Sequence, residues 1–169
     1  METNKKNQLL LDVITSDIDN YVDWTYISRR PESNLSEDFM REFKYNIDWG
    51  YVSIHQKMSE NLIRELKGFV NWRHISRHQK LSEDFIREFK DKVDWYHISE
   101  YQQLSEPFIR EMKDEVDWGM ISRSQKLSEE FIREFADKVN WDNIFSFKKV
   151  SNDLKRDFKH KVCFKMYVD

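Results

Sequence analysis

The tryptophans constrain this chain more than any other feature. They stand at Trp24, Trp49, Trp72, Trp95, Trp118 and Trp141, so the first gap is 25 residues and each later one is 23. The surrounding sequence repeats with them. Asp94-Trp95-Tyr96-His97-Ile98-Ser99 leads to Leu104-Ser105-Glu106-Pro107-Phe108-Ile109-Arg110-Glu111, and Asp117-Trp118-Gly119-Met120-Ile121-Ser122 leads to Leu127-Ser128-Glu129-Glu130-Phe131-Ile132-Arg133-Glu134. A fixed period of about 20–50 residues marks a stack whose units bury their apolar faces only against neighbours. Such stacks mostly present surfaces and seldom enclose an active site.

The unit reads as two helices. Ser82 is placed to cap a helix, with Glu83 and Asp84 in the first turn, where the macrodipole favours acids. Pro107 fits the same frame, because a proline in the first turn breaks no intrahelical bond. Apolar residues then recur four apart (Leu81, Phe85, Phe89, Val93), which makes one face apolar. This predicts a helix of about 12 residues over 82–93. Asp or Asn precedes every tryptophan and is a preferred N-cap, so a shorter α- or 3₁₀-helix starts there and ends after the Ile-Ser pair.

The predicted fold is therefore all-α, an α-solenoid or superhelix of about 23-residue repeats, each one long helix plus one short one. One repeat domain, 1–169, is expected. It divides into a degenerate N-terminal cap at 9–22, tandem repeats over 23–146 and a degenerate C-terminal cap at 147–169. Lys155 stands where Met40, Ile63, Ile86, Ile109 and Ile132 recur, so those apolar positions are expected to pack between repeats.

Composition agrees. Charged residues make up 35 % and aromatic ones 15 % of the chain, as suits a thin stack with much surface and large core side chains. The net charge of -3 counts against a bulk nucleic-acid binder, though not against a local basic stripe. Cys163 is the one cysteine, Leu9-Leu10-Leu11 is too short for a signal peptide's apolar region, and nothing approaches a membrane span. The expectation is an intracellular, soluble protein.

The motif Asp-Trp-x-x-Ile-Ser-x-x-Gln-x-Leu-Ser-Glu-x-Phe-Ile-Arg-Glu, legible at 94–111 and 117–134, resembles the tandem 23-residue repeats of proteins from large (giant) DNA viruses that infect protists. The likeness covers about 20–168. It implies a viral repeat protein acting inside an infected cell, and it carries over no catalytic residue and no ligand. A looser likeness of layout links the chain to leucine-rich variant repeats, which alternate an α- and a 3₁₀-helix but lack the tryptophan.

The residues that could carry chemistry each have a structural reading. The Trp, Phe and Ile set recurs at helical spacing and reads as core. Arg41, Arg64, Arg87, Arg110, Arg133 and Arg156 each have acids in their own helix and read as structural pairs. His74 and His78 stand four apart with no recurring third ligand, so they read as surface histidines with no metal. No phosphate-cradling loop or nucleophile–base motif occurs, so no enzyme activity, no cofactor and no small-molecule substrate is expected.

Two sets of positions vary between repeats and are expected on one face beside the short helix. After tryptophan come Tyr26, Tyr51, His74, His97 and Met120; after the Ile-Ser end come His55, His78 and Tyr101. Such side chains are common at contact surfaces, so the leading reading is a protein–protein interaction scaffold. The alternative is a nucleic-acid binder using the basic loop edge of Arg29, Arg30, Lys57, Arg77, Lys80, Arg123, Lys126, Lys148 and Lys149.

Overall fold

The computed structural model describes residues 22–29 and 35–162. The proposed cap at 9–22 falls outside these residues except for Val22, as does the end of the other cap beyond Val162. Every α-helix in the described part belongs to one of two kinds in strict alternation. Tryptophan helices are Trp24–Arg29, Trp49–His55, Trp72–His78, Trp95–Tyr101, Trp118–Ser124 and Trp141–Phe147. Serine-capped helices are Glu37–Glu42, Glu60–Glu65, Glu83–Glu88, Glu106–Glu111, Glu129–Glu134 and Asn152–Phe158. No strand occurs among the described residues. The chain divides into two compact units, Met1–Val93 and Asp94–Asp169. Each holds three consecutive tryptophan helices, which pack on one another in order.

The caps form as their sequence requires. The Ser82 hydroxyl accepts from the Phe85 amide at 3.2 Å, and Ser128 does the same for Phe131 at 3.1 Å. Asp117 caps its tryptophan helix through the Met120 amide at 2.9 Å. The α-helical part of the serine-capped segment is shorter than its apolar stripe, at six residues in Glu83–Glu88. The stripe nonetheless continues, because Val93 donates to the Phe89 carbonyl at 3.1 Å in a further turn. The apolar positions four apart thus stay buried through Val93.

The core is aromatic and branched-aliphatic. Phe39, Phe85, Phe108 and Phe131 are buried almost completely, as are Met40, Ile63, Ile86, Ile109 and Ile132. Lys155, in the corresponding position, is exposed. The tryptophans are less central than their prominence suggests: Trp49 and Trp141 are buried, but Trp24, Trp72, Trp95 and Trp118 are only half-buried.

Their role is to bridge. The indole N–H of Trp118 donates backward to the Lys113 carbonyl at 2.9 Å, a group left over at the end of the preceding turn. Its ring lies 4.9 Å from Phe135 in the serine-capped segment that follows. Trp72 repeats the arrangement in the first unit, with Lys67 at 3.1 Å and Phe89 at 4.9 Å.

Buried polar groups join one repeat to the next. The Ser122 hydroxyl donates to the Trp118 carbonyl at 2.6 Å and accepts from the Asn140 amide at 2.9 Å. Ser28 does the same between Trp24 and Asp48. The Gln125 amide donates to the Ser99 and Gln102 carbonyls, both at 2.8 Å, and its oxygen accepts from the Leu104 amide at 3.1 Å. Gln79 makes the equivalent three bonds to Ser53, Gln56 and Met58. Every one of these serines and glutamines is buried, so unmade bonds there would be costly.

Candidate partner-binding face

Two surfaces compete as sites, and their charges behave differently. On the serine-capped helices the arginines are engaged within their own helix or pair forward with the next repeat. Arg41 meets Glu65 at 2.8 Å, Arg64 meets Glu88 at 2.7 Å, Arg110 meets Glu134 at 2.8 Å and Arg133 meets Asp157 at 2.9 Å. The guanidiniums of Arg64 and Arg110 also cover Phe85 and Phe131, with 5.1 and 5.0 Å to the ring centres. The glutamates at the helix starts are engaged as well. Glu129 accepts from the Ser151 amide at 2.6 Å, and that bond holds its carboxyl below the usual glutamate value. For Glu37, bonding to Ser59 has the same effect against the opposing effect of burial. This surface is an internal zip, not a phosphate row.

The other surface is formed by the tryptophan helices and the loops after them. Here the two variable positions of a repeat do come together. The rings of Tyr51 and His55 stack at 6.3 Å, those of His74 and His78 meet at 6.2 Å, and those of His97 and Tyr101 stack at 5.9 Å. Tyr26, His55, His78 and Tyr101 are exposed, and Tyr51, His74 and Met120 are half-exposed.

His97 departs from this face. It is only 4 % exposed, with its ring turned in so that Nδ1 lies 2.9 Å from Asp94 Oδ1 without the geometry of a hydrogen bond. It therefore drops out of the contact set. His74 is partly occupied too, since its Nδ1 sits 3.2 Å from the Gly50 carbonyl. Asn143 makes the same link to Gly119 at 3.0 Å. No group of three or more His, Cys, Asp or Glu is arranged to hold a metal among the described residues.

The basic edge also needs one correction. Arg29, Lys57, Arg77, Lys80, Arg123, Lys126 and Lys149 are exposed, whereas Arg30 lies outside the described residues. Lys148 is half-buried and donates to the Arg123 carbonyl at 2.9 Å. It occupies the place of the buried glutamines in its repeat and takes over a carbonyl-binding task; burial holds its ammonium below the usual lysine value. Lys148 is structural. Arg123 lies over the exposed ring of Phe147 at 5.4 Å.

In the second unit this surface carries a cleft of about 330 Å³ between consecutive loops. Glu100, Tyr101 and Gln103 form one wall, and Ser124 and Lys126 the other. No helix among the described residues is long and apolar enough to cross a membrane. No protein-family model, curated protein or solved structure matches the chain.

Proposed function

We propose that the chain is a non-enzymatic repeat scaffold for protein–protein interaction, holding an extended partner segment along the tryptophan-helix surface. The resemblance of its motif to viral repeats supports a viral protein acting inside an infected cell. The cleft between Tyr101 and Lys126 supports the reading best. Its rim side chains lie beside the polar bonds that hold the repeats together, so the loop backbone is fixed while the side chains face outward. A surface held rigid in this way loses little entropy on binding.

A phage-displayed library of random peptides, panned on the purified protein, tests the reading. Enriched peptides are expected, and the double change Tyr101→Ala with Ser124→Ala should weaken them at least about fivefold with thermal unfolding nearly unchanged. Failure of any peptide to enrich overturns the scaffold reading. The nucleic-acid alternative draws on the exposed basic edge of Arg29, Lys57, Arg77, Lys80, Arg123, Lys126 and Lys149.

A further inference from the structure

We infer that the segment held on this edge is acidic and extended, with a carboxylate at about every third residue, one for each repeat's lysine. This deepens the scaffold reading and rests on it. Lys57 and Lys80 in the first unit, and Lys126 and Lys149 in the second, stand at the same place in the repeat, eight residues after tryptophan. All four are exposed and make no ion pair among the described residues. The arginines of the serine-capped helices, by contrast, are engaged forward or within their own helix.

The positions of these lysines are fixed by their neighbours. Lys80 and Lys126 directly follow Gln79 and Gln125, whose buried amides are bonded to the repeat before. Lys149 follows Lys148, which plays the same part. The lysines of each unit therefore recur with the layer spacing of packed helices, about 8–10 Å.

An extended or polyproline-type chain advances about 3.1–3.6 Å per residue, so every third residue lies about 9–11 Å further on. In a polyproline helix those residues also share one side. The match is one acid per repeat. Gln103 takes the lysine's place in the repeat that begins at Trp95, so a neutral hydrogen-bonding residue fits there.

Nucleic acid fits less well. A duplex strand offers a phosphate about every 3.4 Å along its axis, much closer than the about 8–10 Å at which the lysines recur. Glu100 on the cleft wall repels phosphate and carboxylate alike, but a peptide can turn a backbone N–H to it, which a phosphate strand lacks.

Fluorescence anisotropy distinguishes the outcomes. The probes are labelled peptides of about twelve residues, one with aspartate at every third position in a proline–alanine background and one with the same aspartates contiguous. A single-stranded thymidine oligonucleotide of similar length is the third. The periodic peptide is expected to bind tightest, and to weaken about tenfold as salt rises from roughly 50 to 200 mM. Reversing the lysines of both units together (Lys57→Glu, Lys80→Glu, Lys126→Glu and Lys149→Glu) should weaken it at least about tenfold without lowering the melting temperature. Equal binding of the contiguous peptide, indifference to charge reversal, or tighter binding of the oligonucleotide overturns the inference. If neutral peptides enrich from the library while no acidic peptide binds, this inference fails and the scaffold stands; if no peptide enriches, both fail.

Discussion

Phe131→Ala is expected to cost about 3–5 kcal/mol, the cost of truncating a fully buried aromatic side chain. The ring is fully buried, lies 4.7 Å from Phe135 and 6.3 Å from Trp118, and is covered by Arg110. Removing it leaves a cavity where two repeats meet, because Arg110 belongs to the serine-capped helix before it. Trp118→Ala should cost less, about 2 kcal/mol, since that ring is only half-buried and its backward hydrogen bond is near solvent. Urea unfolding of both variants checks the order. A loss larger for tryptophan than for Phe131 would mean that the tryptophans, not the phenylalanines, form the centre of the stack.

Gln125→Leu is expected to cost about 2–4 kcal/mol although leucine nearly preserves volume. The change strands the Ser99 and Gln102 carbonyls and the Leu104 amide, which the glutamine satisfies together. The loss is polar, so filling the space does not restore it. Gln125→Lys should lose less, because Lys148 at the matching position still reaches the Arg123 carbonyl. Thermal unfolding of the two variants should rank lysine above leucine. Equal stability of the leucine variant and the parent would remove the glutamine from the bonds that hold the repeats together.

Much of this fold is legible in the sequence because the repeat states it several times. Ser82, Ser128 and Asp117 are readable as caps, and the Leu81–Phe85–Phe89–Val93 stripe is readable as a buried side. What escapes the sequence is whatever depends on how layers stack. Arg110 has an acid of its own helix at Glu106 and another in the next repeat at Glu134, and periodic sequence cannot rank the two. The layers decide for Glu134, at 2.8 Å against 3.9 Å for Glu106.

The glutamines read as loop residues until the preceding repeat brings its carbonyls to them. Their signal was present: Gln56, Gln79, Gln102 and Gln125 recur at a spacing of 23, and a polar residue kept through four consecutive repeats beside apolar ones points to a buried hydrogen bond. The candidate face was harder to read for the same reason. His74 and His97 share one place in the repeat, yet one is half-exposed and the other buried, because the residues around them differ from copy to copy.

The most direct test of side chains as the ties between repeats is hydrogen exchange at the Leu104, Asp117 and Asn140 amides. Each lies ahead of a helix, where backbone N–H groups have no intrahelical partner. Here they donate to Gln125 at 3.1 Å, Ser99 at 3.0 Å and Ser122 at 2.9 Å. The expected result is exchange as slow as that of the Ile121 and Ile132 amides inside their helices, with Leu104 alone released in the Gln125→Leu variant. Exchange of all three at the rate of open loops would contradict the ties and, with them, the fixed spacing of the lysines.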